Sequence, residues 1–405
     1  MQEKFYITTP IYYASGKPHI GHAFATIYAD VISRYQKHWG DDVFFSVGLD
    51  EHGQKVADKA RSVNKTPQEF VDEIAEDYKK TWERLGIDYS AFVRTTEEAH
   101  KKGVYAFFEK LKASGDIYEG FYEGLYCIDC EKFYTEKELV DGLCPDHLKP
   151  PQKVKEKNYF FSLKKYLPDI ERYIRTGSIK ILPETRKNEV LNIIKAGIPD
   201  FSITREKVTW GIPYPYDQKQ TIYVWVEALM NYVTILGYPE SENFKKFWPV
   251  DLHIIGAEIS KFHAIYWPAL LKSAGLDLPL TIFVHGLFTV NGQKMSKTIG
   301  NIIDPMAMID EFGADATRYL LLSQFPGTEH GDIRAEDFKE KYNTDLANGL
   351  GNLMERVFTM IIEYGVRISA DSIDPSIRTH AETMNKRYTE CFETYDLFNA
   401  LKPIF

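Results

Sequence analysis

The stretch from Phe5 to Gly40 constrains the fold more than any other. An apolar run, Phe5 to Tyr13, ends at a glycine-containing turn, Pro18-His19-Ile20-Gly21-His22, and a long amphipathic pattern then runs to Trp39-Gly40. That order reads as strand, turn, helix. The alternation repeats. Val43 to Leu49 is β-branched and aromatic and ends in Asp50-Glu51-His52-Gly53; a helix is expected from the capping-box start Thr66-Pro67-Gln68-Glu69 to a stop at Gly86. Ala91 to Arg94 follows, and a second capping box, Thr95 with Glu98, is expected to open a helix that ends at Gly115. Strands alternating with helices through right-handed crossovers predict an α/β chain with a doubly wound parallel, Rossmann-like sheet. Ligands of such sheets sit at the carboxyl ends of the strands, where Tyr13, His19 and Asp50 fall. No G-x-G-x-x-G follows the first strand, which argues against a dinucleotide oxidoreductase.

Histidines at positions 19 and 22 stand at a helix N-terminus, where unpaired backbone N–H groups and the helix dipole favour an anion such as a phosphate. Gly21 between them lets a nucleotide approach the backbone closely. Far downstream, Lys294-Met295-Ser296-Lys297-Thr298 follows a second apolar strand, Ile282 to His285, and a short glycine-bearing hairpin, Val290 to Gln293. Two lysines on a tight loop are point charges suited to a polyphosphate. Taken alone, the first stretch reads as a helix start with polar caps and the second as solvated surface.

Of four cysteines, three cluster between Cys127 and Cys144. The pattern Cys127-x2-Cys130 followed by Cys144-x2-His147 supplies two paired-ligand turns, each able to point both side chains at one ion. Four N/S ligands from protein predict a closed, structural Zn2+ site. The chain carries a net charge of −9, so an RNA partner would have to meet local basic patches rather than a basic surface. No apolar run approaches the roughly 18 residues a membrane helix needs, and Met1 leads into a strand by Phe5 without room for a leader, so we expect no membrane and a cytoplasmic location.

Together, and in this order, the two phosphate-suited stretches resemble the HIGH and KMSKS signatures of class I aminoacyl-tRNA synthetases, with Thr298 in the last position of the second. Both are similar to their counterparts in the methionyl-tRNA synthetases. That resemblance extends over Thr9 to Ala14, the LDEHG stretch at Leu49, Trp210-Gly211-Ile212-Pro213, Tyr223 to Ala228, Lys261-Phe262-His263 and Val284-His285-Gly286. It continues through Gly313 to Ala316 with Arg318, and Leu346 to Asn348 with Gly351 to Leu353.

The resemblance implies activation of L-methionine by ATP to methionyl-adenylate and pyrophosphate, then transfer to the terminal adenosine of tRNA(Met). It implies catalytic roles for His19, His22, Lys294 and Lys297, and ATP contacts from those four with Gly21, Gly256, Glu258, Ile259 and Ser296. Ile11, Tyr13, Asp50, Trp225, Ala228, Leu229, Tyr232 and His263 would bind methionine, with Asp50 on the α-ammonium. Mg2+ would accompany ATP. Asn348 and Arg356 are the candidates for anticodon contact. Where the family's adenosine-binding turn carries a lysine, this chain has Ala257. A monomer or homodimer is expected.

Domain limits follow from texture and resemblance. We expect residues 1–115 and 221–290 as the two halves of the catalytic domain and 116–220 as a zinc-bearing insertion. Residues 291–340 would hold the KMSKS loop and stem-contact region, and 341–405 part of a helical anticodon-binding domain in which the chain stops short. Main-sheet strands are expected to resume at Thr221 to Val226, and helices at Lys261 to Ala274, Asp304 to Leu322 and from Lys339 onward. Two other readings compete: a different HIGH-bearing nucleotidylyltransferase, which would lack the insertion and helical tail, and an adenylation-competent fragment or non-charging tRNA-binding paralogue.

Overall fold

Strand β1 (Lys4–Thr8) runs parallel to β3 (Asp42–Asp50) in the computed structural model, pairing Lys4 with Asp42 through Thr8 with Ser46. The structure describes residues 3–129, 131–134, 136–145, 148–295, 300–365 and 373–404. Pro10, which has no N–H for a ladder, falls where β1 ends, and the chain re-enters the sheet as β2 (Tyr12–Tyr13), paired with Leu49 and Asp50. β4 (Ala91–Arg94) pairs parallel with Ser46 to Leu49. Beyond β1 the order continues through Leu252–Gly256, Thr281–His285 and Lys180–Leu182. These pairings with β1, β3 and Thr281–His285 are parallel, and β3 is buried from Val43 to Leu49, as expected of strands covered on both faces.

Helix α1 (Ile20–Trp39) follows β2, and α2 (Gln54–Ser62), α3 (Pro67–Arg84) and α4 (Glu98–Ala113) follow β3 and β4. At α3 the expected capping box forms: Glu69 N–H donates to Thr66 Oγ1 at 3.3 Å and Thr66 N–H to Glu69 Oε2 at 2.9 Å. At α4 it does not. Thr95 Oγ1 instead accepts the Glu51 N–H at 3.0 Å, because a buried amide one strand away has the stronger need for an acceptor. The helix begins at Glu98 with no side-chain cap.

Two compact units can be described. The first comprises Met1–Lys17, Tyr35–Lys79 and Asp88–Val284; the second comprises Pro18–Arg34, Lys80–Ile87 and His285–Phe405. The first contains the sheet and a core built around Tyr6, Phe107, Phe161, Tyr232 and Trp267. It also holds an antiparallel sheet of Lys132–Tyr134, Ile117–Cys127, Gln152–Phe161 and Phe201–Ser202. Within the second unit, Phe24 packs on Phe288 and Phe325, and fully buried Asp30 accepts from Arg318 Nη2 at 2.5 Å and Arg34 Nε at 2.7 Å.

Several expectations are corrected. Thr221 to Val226 does not join the main sheet: Thr221–Ile222 pairs antiparallel with Thr204–Arg205, and Val224–Leu229 is a helix. Val224, Trp225 and Val226 favour strands, but tertiary burial overrides that preference, and the N–H groups of Val226 and Glu227 return to the Tyr223 carbonyl. The edge strand Lys180–Leu182 lies inside the span read as an insertion. Lys261 to Ala274 is a π turn, Phe262–Tyr266, followed by an α-helix, Trp267–Ala274; Pro268 offers no N–H to the Ala264 carbonyl, which favours the wider turn. The helix expected over Asp304 to Leu322 breaks at Gly313, φ 80°, into Pro305–Phe312 and Ala314–Leu322. The C-terminal helices are Ala335–Lys341, the π-helical Tyr342–Gly351, Asn352–Tyr364, Pro375–Glu393 and Leu397–Leu401.

Candidate active site

The first unit brings most of the expected amino-acid-binding residues onto neighbouring elements. Tyr13 and Asp50 are partners in the β2–β3 register, and the Ala14 N–H donates to the Asp50 carbonyl at 2.8 Å. Asp50 Oδ1 is buried and meets no hydrogen-bond donor among the described residues. Burial first, then the neighbouring carboxylates of Glu227, Glu131 and Glu51, push its carboxyl well above the usual range. A carboxylate so placed has strong use for a cation. Burial, reinforced by Glu131 and Asp50, likewise raises the Tyr13 phenol well above its ordinary value.

Helix Val224–Leu229 supplies Trp225, Ala228 and Leu229, and the next short helix, Asn231–Thr234, supplies Tyr232. Trp225 stacks on Tyr266, with centroids 5.2 Å apart, and lies 4.9 Å from Phe262. The Tyr232 hydroxyl lies 2.7 Å from His263 Nε2, while His263 Nδ1 lies 3.0 Å from the Ile259 carbonyl. Since a carbonyl only accepts, Nδ1 carries the proton and Nε2 accepts from the phenol. Burial lowers His263 to about 4, so the ring is neutral near pH 7. Ile11 sits half-buried between β1 and β2. Gly256 ends the strand Leu252–Gly256 and leads into the turn Ala257–Ile259; a Cβ on Gly256 would lie 2.7 Å from Glu258 Oε2.

In the second unit, α1 begins immediately after His19. The imidazoles of His19 and His22 stack with centroids 3.7 Å apart. Nδ1 of His22 accepts the His19 N–H at 3.2 Å and Nδ1 of His19 accepts the Gly21 N–H at 3.1 Å, which puts the proton of each neutral ring on Nε2. Met295 of the lysine loop reaches the same turn: a Cβ on Gly21 would lie 3.3 Å from its Cε. Lys294 ends the strand Gln293–Lys294; its side chain, and all of Ser296 and Lys297, lie outside the described residues. Asn348 and Arg356 are exposed on Tyr342–Gly351 and Asn352–Tyr364.

For the expected metal ligands, Cys127 and Cys144 are buried together with Tyr134 in a small cluster, whereas Cys130 and His147 lie outside the described residues. Glu131 and Leu148, the residues after each ligand pair, both take positive φ, 49° and 52°. No group of three metal-capable side chains occurs among the described residues.

Five residues of this region went unrecognised in the sequence. Glu131, 5% exposed, accepts the Lys55 N–H at 2.8 Å and crowds Gly53, where φ is 102° and any Cβ would lie 2.1 Å from its Oε2. Arg205 pairs with Glu156, 2.8 Å from Nε to Oε2, and its guanidinium lies 4.0 Å from the Tyr126 ring centre. His52, His100 and Glu227 form a buried hydrogen-bonded set. His52 lies in the LDEHG stretch and Glu227 within Tyr223 to Ala228, but neither stretch announces these contacts, and all five residues meet their partners across long sequence separations.

The first unit's parallel sheet and, in the second unit, a stacked histidine pair at the start of α1 with Met295 against the same turn agree with the class I aminoacyl-tRNA synthetase resemblance. The family model described as tRNA synthetases class I (M) matches residues 5–153 and 147–358, and the chain belongs to that family. It is 44% identical to the methionine--tRNA ligase of Thermotoga maritima over 99% of this chain and 66% of that protein. It is 48% identical to that of Clostridium perfringens over 90% of this chain and 57% of the relative. The chain thus spans about two thirds or less of the length of these relatives. Mycobacterium tuberculosis methionyl-tRNA synthetase in complex with methionyl-adenylate superposes with a TM-score of 0.94 at 37% identity, covering 100% of this chain and 81% of that one. The free-state structure of the same enzyme gives 0.85 at 34% identity over 100% and 79%. No helix among the described residues is long and apolar enough to cross a membrane.

Proposed function

We propose that this chain is a methionine--tRNA ligase: it joins L-methionine to ATP as methionyl-adenylate, releasing pyrophosphate, and passes the methionyl group to the terminal adenosine of tRNA(Met). The observation that carries the reading is a carboxyl, Asp50, whose buried Oδ1 meets no donor among the described residues, together with an apolar aromatic wall that ends in the Tyr232–His263 hydrogen bond. Methionine presents an ammonium at one end and a polarizable thioether at the other, and thioethers favour aromatic edges.

The substrate carboxylate is already ionised at pH 7, so its attack on the α-phosphate needs no protein nucleophile; positioning and charge stabilisation supply the catalysis. Asp50 and the Ile11 backbone orient the ammonium. Tyr13, Trp225, Ala228, Leu229, Tyr232 and His263 enclose the side chain, and the neutral His263 ring admits it without a competing charge. His19 and His22 donate from Nε2 to phosphate oxygens, aided by the backbone at Gly21. Lys294 and Lys297 neutralise the departing β,γ-phosphates, and Ser296 donates a further hydrogen bond. Glu258 takes the ribose hydroxyls, with Gly256 and Ile259 against the adenosine. Mg2+ would accompany ATP and supply charge neutralisation at the phosphates, with no residue of this chain assigned to it.

Cys127, Cys130, Cys144 and His147 would hold a structural Zn2+. Two adjacent buried thiols and matching left-handed residues after each pair support that fit, and the ion would fix the fold of the 116–220 insertion. Asn348 and Arg356 are proposed anticodon contacts on the helical region.

Amino-acid-dependent ATP–pyrophosphate exchange tests the reading. Exchange with methionine alone among the standard amino acids, abolished in Lys297→Ala, is expected; exchange with another amino acid, or with none, overturns it.

A further inference from the structure

Glu227 lies on the same short helix as Trp225, Ala228 and Leu229, yet its carboxylate is fully buried. His52 Nδ1 lies 2.8 Å from Oε1 and His100 Nε2 lies 2.8 Å from Oε2, so each imidazole donates to one carboxylate oxygen. His100 Nδ1 in turn lies 2.8 Å from the Thr234 hydroxyl, the residue that ends the Tyr232 helix. Gly103 makes this reach possible: a Cβ there would lie 2.5 Å from Thr234 Cγ2, so only glycine lets α4 come so close. Burial raises Glu227, but the two imidazoles outweigh it and hold the carboxyl below its ordinary range.

The other end of the set is the strand-end loop. His52 is two residues past Asp50, and its backbone amide favours the ionised form of that carboxylate. The loop is fixed on both sides. The Trp210 Nε1–H donates to the Glu51 carbonyl at 2.6 Å, the Gly53 N–H donates to the Trp210 carbonyl at 2.9 Å, and Arg94 Nε holds Glu51 Oε1 at 2.7 Å. A continuous chain of contacts therefore runs from Asp50 through His52 and Glu227 to the helix carrying the aromatic wall, and on through His100 to the Tyr232 helix.

We propose that Glu227, with His52 and His100, is a positioning network that sets the spacing between Asp50 and the side-chain wall, and so sets methionine affinity without touching the amino acid. The proposal rests on the methionine site described above. A buried carboxylate flanked by two imidazoles is a poor source of stability for its desolvation, but two fixed hydrogen bonds hold geometry well.

Titration calorimetry with methionine on the whole chain, with ATP titrated separately as the control, tests it. Glu227→Met keeps the volume and removes both acceptors; methionine should bind at least tenfold more weakly, with ATP affinity within twofold. Glu227→Gln keeps one acceptor, and its amide can meet His100 Nε2 in the other tautomer, so methionine affinity should return to within about threefold of the unsubstituted chain. If Glu227→Met does not fold, His52→Leu cuts the link on the Asp50 side and carries the same expectation. Unchanged methionine affinity in the folded variant, or equal losses for methionine and ATP, overturns the positioning role. Failure of the unsubstituted chain to bind methionine overturns the proposed function itself.

Discussion

The Tyr232 hydroxyl donates to His263 Nε2 across 2.7 Å, linking the helix after the aromatic wall to the π turn that follows the adenosine turn. With Nδ1 committed to the Ile259 carbonyl, the ring has one tautomer and one orientation. Tyr232→Phe leaves a buried Nε2 without its donor. The cost should be about 1–3 kcal/mol of stability, and the methionine KM in pyrophosphate exchange should rise severalfold while that of ATP stays put. An unchanged methionine KM would remove Tyr232 from the pocket.

Acid should destabilise the chain through the same histidine. Burial holds His263 at about 4 against an unfolded value of 6.5. Above pH 6.5 both states are neutral and nothing is lost; between 6.5 and 4 only the unfolded state takes the proton, so stability falls as pH falls, by about 3 kcal/mol over that window. His253, held neutral chiefly by burial, acts in the same direction. Urea unfolding midpoints followed from pH 7 to pH 4.5 check this: His263→Gln should flatten the slope, and a parallel slope would contradict the assignment.

Asp50 has its carboxyl raised by burial and by three neighbouring carboxylates, and an incoming ammonium would favour its ionised form. Methionine binding is therefore expected to release protons at pH values below that raised value and to tighten as pH rises. Calorimetry in buffers of different ionisation enthalpy reads the release directly. Asp50→Asn should abolish the release and weaken methionine by about 2–5 kcal/mol; proton release that survives the substitution would locate the titrating group elsewhere.

Zinc should be present at one ion per chain by elemental analysis. Chelation, or Cys144→Ser, should lower the melting temperature and loosen the 116–220 region in hydrogen exchange, because ligand binding stabilises only the folded site. A metal content unaffected by Cys144→Ser would exclude the proposed ligand set.

The sheet was legible because β1, β3 and α1 each carry a long, uninterrupted pattern, and because a parallel sheet buries whole runs such as Val43 to Leu49. Val224 to Val226 misled for the complementary reason: their β preference is local, whereas the helix there is held by what Glu227 meets across the fold. Asp50, Trp225, Tyr232 and His263 were reached through motif resemblance, and the structure places Tyr232 beside His263. The Thr95 capping box failed because Glu51 competes for the hydroxyl. His100 and Glu131 carry no local signature; each owes its place to a partner more than seventy residues away.

The most direct test is single-turnover formation of enzyme-bound aminoacyl-adenylate, with ATP labelled at the α-phosphate, methionine and no tRNA. Methionine should yield methionyl-adenylate approaching one equivalent per chain, leucine should yield none, and Asp50→Asn should suppress it. No adenylate with methionine, or equal adenylate with leucine, would overturn the proposed function.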